Sequence, residues 1–345
     1  MSKIETIREF AKRITTMNGM EIGTPLVLEE ISFVPIVKHE VPFEERDYLT
    51  LSEALERGIC KIIDKGTEVA HISFQNTGDI PILIEEGEIF QGKGTQDRIC
   101  IGTVMVEPGV IKDISVKCVH APHPLSSGAS FGYGGKASRG MLNEMRALKY
   151  SNAMIGTVAS NINQSRIWSR VSEEMANENS VSDPTQYTQG IEARRKRAKK
   201  HSNSITFPKN TIGFVVIDHK GEIKGVEVHR SPHNFKLRKD GIFESLETNI
   251  SWKSVGKGPF PNSQEKAKNL FKKLSELEEG KDVLKQVEID GLVINSEGLK
   301  GEAFASEFYS AKCPSCKNPK PRQKACPHCG FLERSSKEFT FMSLY

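Results

Sequence analysis

The sequence predicts an α+β fold: an antiparallel β-sandwich or barrel-like core with packed helices, plus a small C-terminal module stapled by cysteines. Three observations carry that prediction. Short apolar and β-branched runs recur over roughly the first third of the chain, separated by Gly, Asn and Pro turn signals. Longer stretches with apolar residues at helical spacing follow them. Four of the seven cysteines fall into two Cys-x-x-Cys pairs near the C-terminus. A chain of 345 residues has room for a large domain and a small one. The expected organisation is an N-terminal helix over residues 1–20, an α+β core over 21–255, a linker and amphipathic helix over 256–282, and the cysteine module over 283–345.

Ser2 to Met17 reads as an amphipathic helix, with Ser2 as N-cap, Ile4, Ile7, Phe10, Ala11 and Ile14 on one face, and Asn18-Gly19 ending it. Extended segments are expected at Pro25 to Leu28 and Ile31 to Val37, followed by a turn at Pro42. Leu49 to Gly58 predicts a short helix, because Thr50 and Glu53 make a capping box and Gly58 holds the C-terminal position. Strands follow at Ile59 to Ile63 and Val69 to Phe74 about a turn at Gly66, and Asn76 to Asp79 turns the chain again.

From Ile80 to His120 the strongest β signal surrounds the densest polar cluster: Pro81 to Ile84, then Glu85, Glu86 and Glu88, Gly92-Lys93-Gly94, Thr95-Gln96-Asp97-Arg98, and further strand-like runs ending at Cys118. Ala121 to Gly140, with Pro122, Pro124 and interleaved Gly and Ser, is expected to be a mobile or ligand-covering loop, a Gly/Ser-rich surface segment near a site. Its Gly132-x-Gly134-x-x-Ala137 lacks the βαβ surroundings of a dinucleotide fingerprint.

Ser138 to about Asn177 has helical periodicity, and Asp183-Pro184 caps a further helix that runs into Arg194 and the basic residues after it. Thr211 to Asp218 and Glu222 to His229 form a hairpin, Ser231-Pro232 opens a helix through Glu247, and Gln264 to Leu277 is amphipathic after a Gly- and Pro-rich linker.

Composition narrows the function classes. No run approaches the ~20 apolar residues of a membrane-spanning helix, no secretory pattern opens the chain, and the cysteines read as reduced thiols, so a cytoplasmic protein without membrane attachment is expected. The net charge of +4 does not by itself argue for nucleic acid, so that case rests on clustering. Arg194, Arg195, Lys196, Arg197, Lys199 and Lys200 form the strongest positive cluster, which reads either as a solvated helix face or as a phosphate-contacting surface.

Two constellations carry chemistry. Cys313-Pro-Ser-Cys316 and Cys326-Pro-His-Cys329-Gly330 present four thiolates at the spacing of a closed tetrahedral zinc site, with no open position for catalysis and His328 as a loop residue. A zinc ribbon is expected, with strands at Val287 to Ile289, Leu292 to Ile294 and Glu302 to Tyr309. Its basic segment, with Lys317, Lys320, Arg322 and Lys324, suits RNA, a ribonucleoprotein such as the ribosome, or a protein partner. Glu86, Glu88, Lys93, Gln96, Asp97 and Arg98, beside Glu85, form the second candidate site, combining carboxylates with a cationic anion holder. Cys118 with His120 and His123 makes a thiolate–histidine pair only if the strand stays regular.

Leu49 to Leu55, Asn76 to Glu88, Gly92 to Arg98, Ile114 to Val119 and Ser231-Pro232, taken in order, resemble the ADP-ribosylglycohydrolase and rhodanese/phosphatase superfamily-associated protein domain over roughly residues 20 to 275. Where that family carries Lys-Gln-Asn-Arg this chain has Thr95-Gln96-Asp97-Arg98, and Glu-Gln-Gly-Arg-Trp is replaced by His120-Ala121-Pro122-His123-Pro124. The resemblance implies a link to ADP-ribose or nucleotide metabolism, and the ribbon lies outside it. Two expectations follow: a zinc-ribbon protein that binds an anionic ligand, RNA or a ribonucleoprotein, or an enzyme acting on a nucleotide or ADP-ribose-like substrate.

Overall fold

The computed structural model describes residues 2–40, 48–63, 70–120, 126, 128–178, 186–247, 260–296, 298–309, 312–320, 324–334 and 336–345. The expected features at Pro42, Gly66, Ala121 to Leu125 and Asp183-Pro184 lie outside these residues. Local capping signals translate directly into structure. In α1 (Lys3–Thr15) the Ser2 hydroxyl accepts from the Glu5 N–H while Glu5 accepts from the Ser2 N–H. Strands β1 (Met20–Ile22), β2 (Leu26–Leu28) and β3 (Ile31–Lys38) come next. Strand β4 (Leu49–Thr50) then runs into α2 (Leu51–Glu56) through the expected Thr50–Glu53 capping box.

A meander of short strands follows: β5 (Cys60–Ile63), β6 (His71–Asn76), β7 (Ile82–Ile84), β8 (Glu88–Lys93), β9 (Arg98–Cys100), β10 (Val104–Val106), β11 (Ile111–Cys118) and β12 (Ser130–Lys136). The segment expected to be one helical stretch from Ser138 divides into α3 (Arg139–Met154) and α4 (Gln164–Ala176), because Gly156 adopts a left-handed conformation and ends the first helix. The chain continues through α5 (Tyr187–Ser204), the hairpin β13 (Thr211–Asp218) and β14 (Ile223–His229), α6 (Pro232–Leu246) and α7 (Ser263–Ser275). It closes with β15 (Val283–Leu284), β16 (Leu292–Ser296), β17 (Leu299–Phe308) and β18 (Ser336–Leu344).

Among the described residues these strands make a nine-stranded sheet that carries β1-β3-β13-β14-β18-β17-β16-β15 with β2 beside β3, a six-stranded sheet β12-β8-β9-β11-β6-β5, and a three-stranded sheet β10-β7-β4. The large sheet is covered on both faces, which is why β13 reads as a continuous apolar run. Its Val215 and Ile217 join the core beneath α1 and α7, and its Phe214 and Val216 join the core beneath α3 to α6. The two smaller sheets enclose a third core around Phe74, Phe90 and Ile114.

Two expectations are corrected here. Residues 130–136, assigned above to a loop, pair antiparallel with β8 as an edge strand. Their glycines serve close approach: a side-chain carbon at Gly134 would lie 2.8 Å from Ile89, and one at Gly135, whose φ is +102°, would lie 2.8 Å from Ile191 of α5. The ribbon does not begin at residue 283, because β16, β17 and β18 extend the main sheet and β18 pairs with β14 and β17 at once. Ala303, Ala305, Phe339, Met342 and Leu344 belong to the core under α1, so the cysteine pairs sit on an excursion between two hydrogen-bonded strands. No helix among the described residues is long and apolar enough to cross a membrane.

Candidate functional site

The turn between β7 and β8 distributes the carboxylates of Glu85, Glu86 and Glu88 to different partners. Gly87 sits at φ +79° with Leu142 against it, and the Glu88 N–H donates to the Glu85 carbonyl at 3.1 Å, closing the turn. Glu85 meets Lys136 Nζ at 2.5 Å and Arg238 Nε at 3.1 Å. Glu88 accepts from Arg238 Nη1 at 2.7 Å and from the Glu85 backbone N–H at 2.8 Å. Glu86 turns into the interior, where Arg146 Nε at 2.7 Å and Lys149 Nζ at 2.5 Å hold it, and Lys149 also pairs with Glu302. Four buried carboxylates therefore face three buried cations and the half-buried Lys136.

Electrostatics follow from that balance. Burial pushes the Glu85 carboxyl up, but Arg238 and Lys136 outweigh it and hold it at about 2. The Glu86 carboxyl is likewise held low by Arg146 and Lys149 against its burial. His229 stands in the same interior between the rings of Phe235 and Phe341, without a hydrogen-bond partner at either ring nitrogen, and burial lowers it to about 4.

Above this hub lies a cavity of about 310 Å³ walled by β12, α5 and α6. Glu85, Tyr133, Lys136 and Arg238 line it together with Arg195, Lys199, Asp240 and Glu244. Arg238 is more than nine-tenths buried, and its Nη2 has no hydrogen-bond partner. Glu244 is paired with Arg195 at 2.8 Å, yet burial raises its carboxyl above the ordinary value. Sequence reading missed Lys136, Tyr133, Arg238 and Glu244; their one signal was a charged residue beside an apolar helical or strand pattern, which exposed residues share.

The expected ligand set is split by the fold. Glu86 and Glu88 belong to the ionic hub, Lys93 is exposed, and Asp97 ties β8 to α5 by accepting from the Gly92 N–H at 2.9 Å and the Thr188 hydroxyl at 2.8 Å. Arg98 is buried and donates to Gln96 at 2.5 Å, and neither they nor Asp97 line the cavity over Arg238. The basic cluster is divided too. Arg194 is fully buried over the Tyr187 ring with Glu174 at 3.7 Å, which removes it from any phosphate-contacting surface. Arg195 pairs with Glu244, Arg197 pairs with Glu178 and Glu247, and Lys196, Lys199 and Lys200 stay exposed. At Cys118 the thiol donates to the His120 carbonyl at 3.2 Å and burial pushes it up, against the thiolate–histidine pair; His123 is outside the described residues.

The four C-terminal cysteines do converge. Their sulfurs all lie within 4.8 Å of one another, with Cys313 to Cys329 at 3.7 Å and Cys316 to Cys326 at 3.8 Å. A tetrahedron of ~2.3 Å metal–sulfur bonds has edges of about 3.8 Å, so the donor set fits one four-coordinate metal ion. The two knuckles repeat one geometry. The Lys317 and Gly330 N–H groups donate to the Cys313 and Cys326 carbonyls at 2.9 Å, and both residues have positive φ. His328 is exposed and bonds the Pro319 carbonyl, outside the donor set.

Fold and site define an α+β protein whose sheets clamp an ionic hub under an open cavity, with a four-cysteine cluster carried between two sheet strands. The chain belongs to the ARG and Rhodanese-Phosphatase-superfamily-associated Protein domain family, whose family model matches residues 19–304. That match runs past the expected limit near residue 275 and into β17, as the shared sheet requires. No curated protein and no solved structure matches the chain.

Proposed function

We propose that the protein binds a small phosphate- or carboxylate-bearing ligand in the cavity between β12, α5 and α6, with Arg238 receiving the anion. The observation that carries this reading is Arg238, a residue that lines the cavity and whose buried Nη2 has no hydrogen-bond partner. A buried donor without a partner is costly, and a charged acceptor relieves that cost. Glu85, itself in the cavity wall, and Glu88 fix the guanidinium, while exposed Lys199 adds positive charge at the rim. The association of the family with ARG and rhodanese-phosphatase proteins supports a phosphate-bearing ligand.

Cys313, Cys316, Cys326 and Cys329 are proposed to hold zinc, which supplies a structural crosslink closing the excursion between β17 and β18. An RNA or ribonucleoprotein partner would have to be met by Lys196, Lys199 and Lys200 on α5 and by the exposed Lys317 and Lys324 of the ribbon, since Lys320 is buried against Glu333. A second reading, an enzyme on a nucleotide or ADP-ribose-like substrate, is favoured by Glu244, whose raised carboxyl lines the same cavity and suits proton transfer.

Calorimetric titration with pyrophosphate tests the binding reading. Binding that weakens with salt is expected, and Lys199→Glu should weaken it about tenfold, in line with a lost charged contact. Arg238→Gln should abolish it, with folding checked by circular dichroism because that change also strips two carboxylates of their partner. No binding by the unmodified protein, or affinity unmoved by Lys199→Glu, overturns the proposal.

A further inference from the structure

The seam between α5 and α6 continues beyond the Arg238 cavity. One helical turn farther along α5, at Ser202 and Asn203, a second and more open cavity of about 650 Å³ begins, and Asp240 of α6 lines both. Its walls include Phe207 and Phe235, with Lys209, Lys236 and Lys239 around them and Asp240 as the single carboxylate among the described lining residues.

We propose that the two cavities form one site for a nucleoside polyphosphate, its phosphates over Arg238 and its base in the second cavity. This rests on the anion-binding reading and names its ligand class. Phe207 is half-buried and backed by Phe214, whose ring lies parallel at 9° and 5.4 Å, and Phe235 meets it edge-on at 87°. A ring so braced is a rigid stacking platform with part of its surface left to the cavity. Asp240 stands between the two compartments, where a ribose joins base to phosphate. Its Oδ1 accepts from the Ser202 hydroxyl at 2.7 Å and its Oδ2 has no partner among the described residues, a free acceptor for a sugar hydroxyl. Exposed Lys209 and Lys236 complement the charge of the remaining phosphates.

Titration of the full chain with ADP, pyrophosphate and adenosine decides the matter. ADP is expected to bind at least ~10-fold tighter than pyrophosphate, the usual worth of one stacked base. Phe207→Leu should bring ADP down to the affinity of pyrophosphate, and Lys236→Glu, on an exposed position that does not threaten folding, should weaken ADP several-fold. Equal affinities for ADP and pyrophosphate overturn this inference while leaving the anion-binding reading in place. Failure of both to bind overturns the two together.

Discussion

Glu86 shows what a single residue commits the molecule to. Its carboxylate is buried against Arg146 and Lys149, and each partner is itself anchored, Arg146 by the Ser343 hydroxyl and Lys149 by Glu302. Removing one member leaves uncompensated charge in the interior, so Glu86→Ala should cost about 3–5 kcal/mol in urea unfolding. The exposed Arg166–Glu144 pair is the control, and Arg166→Ala should cost at most about 1 kcal/mol. Similar losses for the two variants would show that the hub is not electrostatically tight. None of this was legible from the run Ile82 to Glu88, which reads equally well as a solvated turn. The partners that bury it are 60 residues away at Arg146 and 150 at Arg238, and spacing along the chain carries no information about them. Arg194 teaches the same point in reverse, since a basic run looks solvated until Tyr187 and Glu174 close over one of its members.

Elements were legible where their signals are local. The capping boxes at Ser2 and Thr50, the hairpin of β13 and β14 and the Ser231-Pro232 helix start all depend on residues within a few positions of one another. Strand β12 was not, because its glycines answer to Ile89 and Ile191, neighbours that the fold alone provides. The cysteine excursion combines both cases: its ligand spacing is local, but its flanking strands are set by the main sheet. Among its described residues strand pairing is limited to the isolated bridges Lys312 to Pro319 and Ala325 to Leu332, and the other backbone hydrogen bonds stay within one knuckle or the other, so a bound metal would be the principal tie between the two. Chelation should therefore release one metal ion per chain, proposed to be zinc, and abolish amide-exchange protection across residues 312–320 and 324–334, while β17 and β18 keep theirs. Loss of protection throughout the sheet on chelation would instead make the metal a condition for the whole fold.

At the scale of the whole molecule the ionic hub and His229 occupy the interior between the layers, and this makes acid stability a property of the assembled fold. Burial holds His229 at about 4, against an ordinary value of 6.5, and the groups facing it are Glu85, Arg238 and Lys136. Between those pH values the unfolded chain takes up a proton that the native protein refuses, so the contribution of this one group falls by about 3 kcal/mol as pH falls from 6.5 to 4. Glu85 acts next. Its carboxyl, ordinarily at 4.5 and held at about 2, contributes stability that is present above 4.5 and lost as pH falls to 2. Glu107 slopes the other way, since burial pushes it up to about 7 and the native state gains the proton first as pH falls. Glu107 and His229 are shifted by similar amounts in opposite senses, so the urea midpoint of the unmodified protein should stay nearly level between pH 6.5 and 4.5 and fall below pH 4.5 as Glu85 is protonated, whereas His229→Gln should let Glu107 raise it between pH 7 and 4.5. A midpoint in His229→Gln as level as that of the unmodified protein would take the imidazole out of the acid response and leave that response to the carboxylates of the hub.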